Sequence, residues 1–425
     1  MAEGGAMSRA GVVMRDRAPS AHVPRPAFVA ACAALILGMP SGAMGQAGDL
    51  SRCLASIRAT QGARRITADT WTRHAASLEA DPRVVAALDA QPEFRLPVWD
   101  YMAVMVDDER IDDGRNRLVL HRPLLESIFE RYGVEPQVLV AFWGVESNYG
   151  RGMGSYGVLR SLATLSCKGR RQKFFRGQFL AALRIVQDGH VAPARFRGSW
   201  AGAFGQTQFM PGTFEWLAVD HDGDGRRDVI GNVGDALAST ANYLRRHGWR
   251  TGAPWGIEVK LPGPAFPVRG EGRRVKRTLD TWAARGVVRA DGSPLAGDGL
   301  SPATRAGLYL PAGATGPAFL TFHNFDVIYR YNASETYSLA IAHLADRLRG
   351  GGPFATPWPT DDPGLSRAER RELQRLLAAR GHDIGAPSGV LTARTRAAVR
   401  REQERLGHEV TGRPGQKLLR ALRNP

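Results

Sequence analysis

The sequence predicts a mainly helical α+β protein, with a strand-bearing insert among the helices and a separate three-helix unit at the C-terminal end. Three observations carry this. Apolar residues recur at three- and four-residue spacing through most of residues 49–250, the period of a helix face. Residues 254–320 turn Gly- and Pro-rich and hold short β-like pieces at 256–261 and 318–322. A Gly- and Pro-rich stretch then precedes a last helical segment, 365–425. The chain has 425 residues, which at roughly 150 per domain gives two or three domains. Its 43% apolar content excludes wholesale disorder.

Taken in order, residues 27–39 form an uncharged apolar run. A stretch holding Arg9, Arg15, Arg17 and Arg25 precedes it, and Ser41-Gly42-Ala43-Met44-Gly45 follows. Basic region, apolar region and small residues in that order predict a cleaved secretory signal over 1–45. The run is short for a bilayer span, and no other stretch suits one, so no transmembrane helix is expected in the mature chain. Helices are expected at 122–132 and 137–147, with Gly133 as the stop between them, and at 171–187, 235–247 and 336–349. Pro353, Pro357, Pro359 and Pro363 mark 353–364 as a linker. The final helices are expected at 367–380, 392–406 and 416–423.

Three cysteines exclude a disulfide-framework miniprotein and a multi-cysteine metal protein. Cys32 would leave with the signal. Cys53 and Cys167 then either pair in an oxidising compartment or stay as two buried thiols. The net charge is 57 − 41 = +16, which points to an anionic partner: nucleic acid, a membrane surface or an acidic polymer. The signal carries +2 and the last 61 residues carry 14 − 6 = +8, so half the excess is a property of the tail.

Between Leu139 and Leu217 the acidic residues are Glu146, Asp188 and Glu215. Glu146 ends the apolar run Val138-Leu139-Val140-Ala141-Phe142-Trp143-Gly144-Val145. A carboxyl beside such residues is desolvated, which raises its pKa into the range of a general acid. The competing reading is a surface Glu at a helix end. The stretch Gly198–Pro211 alternates small residues with aromatics and carboxamides. That composition lets backbone approach a sugar while Ser and Gln hydrogen-bond to it. A glycine-rich loop packed for structure is the alternative.

These two motifs combine with Gln91-Pro92-Glu93-Phe94, Asp235 through Tyr243, Asn324-Phe325-Asp326 and Arg330-Tyr331-Asn332. In that order, over roughly residues 50–350, they resemble the membrane-bound lytic murein transglycosylase B family, glycoside hydrolase family 103. The resemblance implies a lysozyme-like catalytic domain over 46–352, with 254–320 as its insert, working in the periplasm. It implies cleavage of peptidoglycan glycan strands, with Glu146 as the one acid and base. It places Ser199, Gln208, Tyr243, Tyr331 and Asn332 on substrate-binding positions. A hydrolytic glycosidase uses two carboxylates. Here one has a motif context, which suits a lytic transglycosylase forming a 1,6-anhydromuramoyl end. The other readings are a hydrolytic muramidase on a related fold and a non-catalytic wall-binding protein. No cofactor is required for the chemistry, a monomer is expected, and wall-synthesis partners stay unnamed.

Asp220-His221-Asp222-Gly223-Asp224-Gly225 opens like a calcium loop, with Asp228 at the ninth position. Gly231 stands at the twelfth, where a Glu is expected, and Asp235 is the candidate replacement. The resembled family has such a loop here, which implies structural calcium; an Asp/Gly turn without metal is the other reading. Residues 365–425 resemble the small peptidoglycan-binding domain, through Leu373-Gln374-Arg375-Leu376-Leu377, Gly389-Val390-Leu391-Thr392 and Thr395-Arg396-Ala397-Ala398-Val399. Ser388 and Glu402 depart from that pattern. No aromatic interleaves the arginines, so no nucleic-acid partner is expected.

Overall fold

The structure is a computed structural model, and it describes residues 42–89, 96–263 and 266–424. The expected signal up to Ser41 and the Gln91-Pro92-Glu93-Phe94 motif lie outside the described residues. Gly42–Gly45, assigned to the signal, form the first turn of helix α1 (Gly42–Arg58).

Three short helices follow: α2 (Ala68–His74), α3 (Pro82–Asp89) and α4 (Val98–Met105). Then come α5 (Asp108–Leu120), α6 (Arg122–Tyr132) and α7 (Pro136–Ser147). Gly133 ends α6 with φ 67°, a left-handed value glycine adopts without cost. α7 is the central helix. Val138 through Gly144 are all buried, because the run is apolar on every face and neighbours cover it all round. α8 (Val158–Cys167) packs on α9 (Gln172–Gln187), which also carries α10 (Pro211–Leu217); α11 (Val233–Arg246) packs against α6 and α7. Cys53 in α1 is bonded to Cys167 at the end of α8, with Cα atoms 6.0 Å apart.

Two two-residue strands, β1 (Tyr156–Gly157) and β2 (Arg197–Gly198), pair antiparallel, with β1 against α8. The insert holds a five-stranded antiparallel sheet, ordered β4 (Lys276–Thr278), β6 (Arg305–Tyr309), β7 (Ala318–Thr321), β3 (Gly256–Lys260), β5 (Val288–Arg289). Helix α12 (Leu279–Ala284) buries Trp282 into the insert's own core with Val259, Leu308 and Leu320. Only β3 and β7 are foreseen in the sequence; β4 and β5 are two or three residues long and charged, and carry no alternation to detect. α13 (His323–Asn332) and α14 (Glu335–Leu348) return to the helical core, where α14 lies along α7.

The C-terminal unit is α15 (Arg367–Ala379), α16 (Ala393–Arg405) and α17 (Gln416–Arg423) around Leu373, Leu377, Val399, Leu419 and Leu422. Ser366 and Glu369 close a capping box on α15. The segment 353–364 is not a free spacer. Phe354 stacks on His343 at 3.8 Å between ring centroids, and Glu258 accepts from the Ala355 and Thr356 N–H groups. Gly364 lies against the Asp100 backbone. Phe354 and Trp358 are the residues that convert a Pro-rich linker into a strap.

Candidate active site

Pro136 starts α7 at a position where its missing N–H costs nothing. The other end is abrupt. Asn148 and Tyr149 take φ values of 50° and 59°, two left-handed residues in succession. Gly144 makes room, since a Cβ there would lie 2.7 Å from the Tyr149 hydroxyl. The Ser147 hydroxyl donates to the Gln206 carbonyl at 2.5 Å and accepts from Gly150 N–H at 2.9 Å. Gln206 in turn accepts from the Trp143 indole at 2.8 Å and donates to the Ile230 carbonyl at 3.0 Å. The end of α7 is thereby bolted to the Gly198–Pro211 stretch, and Glu146 is fixed where the two meet.

Glu146 is half-buried. Burial pushes its carboxyl up to about 7, against the opposing pull of a 2.5 Å hydrogen bond from the Tyr337 hydroxyl to Oε1. Its place in the last turn of α7 works in the same direction as burial, because the negative end of the helix dipole disfavours a carboxylate. A carboxyl near 7 both donates and accepts a proton at neutral pH.

In the Gly198–Pro211 stretch the two phenylalanines point inward, while Trp200 is half-buried. Phe204 packs on Phe196 at 4.8 Å and on Phe214 at 5.5 Å, and Phe209 is buried too. The small residues are needed for contact: a Cβ on Gly154 would strike the Gly198 carbonyl. Ser199 closes its own loop, its Oγ accepting from Ala203 N–H at 3.0 Å and keeping its proton to donate. Gln208 sits at φ 53° and donates to the Met153 and Gly205 carbonyls at 3.0 and 2.9 Å, which leaves its Oε1 to accept.

Tyr331 and Tyr243 form an aromatic wall. Their rings are 4.8 Å apart, and Tyr331 lies 4.7 Å from Phe142 on α7. The Tyr331 hydroxyl donates to the Thr207 carbonyl and that of Tyr243 to the Arg330 carbonyl. Burial raises both phenols, Tyr243 to about 12, so both stay neutral donors. The Glu146 charge adds to the shift of Tyr331, which puts the two in electrostatic reach. Asn332 is the exposed last residue of α13, and no bond joins it to this cluster. Sequence reasoning missed Tyr337 and Gln206. Tyr337 lies 191 residues from Glu146, and its place on the inner face of the 336–349 helix pattern was the one available signal.

Comparison with known proteins gives a family. The model for the transglycosylase SLT domain matches residues 49–346, well over half of the chain. The chain belongs to the SLT transglycosylase family. Residues 366–422 match a putative peptidoglycan-binding domain. Among curated proteins, the membrane-bound lytic murein transglycosylase B of Escherichia coli K12 is 34% identical over 241 residues, which are 56% of this chain and 64% of that protein, just under two thirds. Among solved structures, Pseudomonas aeruginosa SltB3 in complex with NAG-NAM-pentapeptide is 47% identical, with TM-score 0.71 over 88% of this chain and 99% of that one. Escherichia coli Slt35 in complex with calcium is 27% identical, with TM-score 0.60 over 72% of this chain and 95% of that one.

In this SLT domain the acidic loop gathers three of the five expected metal ligands. Oxygens of Asp220, Asp222 and Asp235 lie within 4.8 Å of one another; Asp224 and Asp228 are outside that set. Asp235 is fully buried, and each of its oxygens accepts a backbone N–H, from His221 and Asp228. Burial, then the charges of Asp222 and Asp220, raise its carboxyl above the usual range. Three carboxylates at this spacing, with no ion pair to a basic side chain among the described residues, fit a hard divalent cation with oxygen ligands.

The basic tail reads differently once folded. Arg413 grips Asp100 with two 2.7 Å bonds, Arg371 meets Glu109 at 2.9 Å, and Arg367 clasps Asp107. Part of the tail's excess charge is thus spent on acidic residues of α4 and α5 rather than held out for a polymer.

Proposed function

We propose that this protein is a lytic transglycosylase that cleaves peptidoglycan strands between N-acetylmuramic acid and N-acetylglucosamine without consuming water. The observation that carries this is Glu146: one carboxyl at the end of a buried helix, raised to about 7 by burial and hydrogen-bonded by Tyr337, with no hydrogen bond to a second carboxylate among the described residues. Double-displacement hydrolysis needs a second carboxylate as nucleophile, and inverting hydrolysis needs one as base. The SltB3 structures with NAG-NAM-pentapeptide and with NAG-anhNAM-pentapeptide support the same substrate class.

Glu146 enters protonated and gives its proton to the glycosidic oxygen as the C1–O bond breaks. The sugar C1 takes on oxocarbenium character. The muramoyl 6-hydroxyl attacks C1 and loses its proton to the Glu146 carboxylate, which restores the acid and closes the 1,6-anhydro ring. Tyr337 donates to whichever carboxyl form is present and steadies the carboxylate between the two transfers. Ser199 donates to the sugar, Gln208 offers its free Oε1, and Tyr243 and Tyr331 supply an apolar wall for the pyranose faces. Asn332 contributes at the rim. Asp220, Asp222 and Asp235 hold a calcium ion that pins the loop joining α10 to α11. The C-terminal unit binds the wall, and the enzyme works as an exported monomer in the periplasm.

Digestion of purified sacculi by wild type and by Glu146→Gln tests the assignment. Loss of soluble products with the variant is expected; equal turnover by both would end it.

A further inference from the structure

Arg367, the first residue of α15, reaches from the C-terminal unit to the turn that follows Glu146. Its Nε and Nη2 bind the two Asp107 oxygens at 2.8 and 2.9 Å, and its backbone N–H lies 3.2 Å from Oδ2. Its Nη1 donates to Asn148 Oδ1. The pair is enclosed, with 14% of the Arg367 side chain and 2% of the Asp107 side chain exposed. Asp107 also caps α5, accepting from Arg110 N–H at 2.8 Å, so one carboxylate serves the N-termini of two helices. Burial works against that charge, yet the Arg367 guanidinium holds the Asp107 carboxyl below the usual range.

The turn depends on these contacts twice. Asn148, two residues beyond Glu146, is held by Arg367 directly. Tyr149 donates its hydroxyl to the Arg110 carbonyl at 2.7 Å, in the first turn of the helix whose cap Arg367 grips. Two left-handed residues in a row persist only where their surroundings over-determine them. Arg371 and Arg413 dock the same unit without touching the turn.

We propose that Arg367 is a positioning residue: the C-terminal unit completes the turn that aims Glu146, and is part of the support of the active site as well as a wall binder. This rests on the reading of Glu146 as acid and base. An acid that must meet one glycosidic oxygen loses rate steeply with misplacement, about a hundredfold for 1 Å.

The test uses the full-length protein on short, soluble, uncrosslinked glycan strands, for which anchoring to a wall is irrelevant, with anhydro ends quantified by mass spectrometry. Wild type is measured first, and its failure to form anhydro ends would overturn the functional reading itself. The variants are Arg367→Ala, Arg367→Lys and Asn148→Gly, with Arg401→Ala as an exposed charge control on α16. Lysine keeps the charge for Asp107 but cannot serve Asn148 at the same time. Glycine keeps the left-handed backbone and removes only the carboxamide. In all three kcat is expected to fall about tenfold or more, with KM within about twofold and Arg401→Ala unchanged. The Arg367→Lys/Asn148→Gly double variant is expected to be no worse than the weaker single, since both break one contact. Should Arg367→Ala unfold, the other two variants carry the test. Unchanged kcat on soluble strands for Arg367→Lys and Asn148→Gly, with wild type active, would overturn the proposal and leave the unit an anchor only.

Discussion

Replacing Glu146 by Gln removes a charge that the fold opposes, so it is expected to stabilise the protein above neutral pH and to change little in acid. The folded carboxyl is pushed up to about 7 from an ordinary 4.5. Between those values the folded state keeps a proton that the unfolded chain releases, so stability falls as pH rises through that window. At about 1.4 kcal/mol per pH unit, the 4.5-to-7 interval amounts to roughly 3 kcal/mol as an upper bound. Glutamine keeps the Tyr337 hydrogen bond and has no proton to lose. For a unit of this size 1 kcal/mol moves Tm by about 2 °C, so a rise of at most roughly 6 °C is expected at about pH 8 and almost none at about pH 4.5. Thermal unfolding followed by circular dichroism at both pH values is the assay. A variant less stable than wild type at pH 8, or an equal shift at both pH values, would refute the claim that burial dominates at Glu146.

Three further outcomes are expected. Tyr337→Phe removes the bond that favours the carboxylate, so the alkaline limb of the pH–rate profile moves up and kcat falls about tenfold, the worth of one charge-assisted hydrogen bond; an unmoved profile counts against the contact. After chelation, added calcium is expected to raise Tm in wild type, by about 2.7 kcal/mol of stability at a hundredfold excess over Kd. Asp222→Asn is expected to lose that response, and a wild type that ignores calcium excludes the metal. Cys53→Ser opens a loop with a sequence separation of 114 and is expected to cost roughly 5 kcal/mol in denaturant titration; an unchanged midpoint would mean that the bond contributes nothing.

Much of the molecule was legible because local pattern and tertiary role coincide. An apolar run that ends in Glu is a buried helix that ends in a desolvated carboxyl, and Gly133 stops a helix because it takes the left-handed backbone that closes α6. The mixture in Gly198–Pro211 is one of buried phenylalanines with polar groups that are themselves either buried, as Gln206 and Thr207, or partly exposed, as Ser199 and Gln208. Tyr337 was not legible, because a partner on another helix leaves no mark at the spacing of either. The two carboxamides of the loop look alike in sequence, yet Gln206 is a buried bolt under α7 and Gln208 sits beside it on a left-handed backbone. Asn332 lies on a motif but points to solvent at the end of α13. The strap at 353–364 was read from its prolines, while Phe354 and Trp358 decided its packing. The tail's arginines looked free because their acidic partners, Asp100, Asp107 and Glu109, lie some 260 residues or more upstream.

The central claim is that the nucleophile belongs to the substrate and not to water. Digestion of sacculi in water enriched in heavy oxygen, with mass spectrometry of the released muropeptides, tests it most directly. The account predicts anhydromuramoyl ends, one water lighter than hydrolytic products and free of label. Reducing muramic acid carrying the heavy oxygen would contradict it.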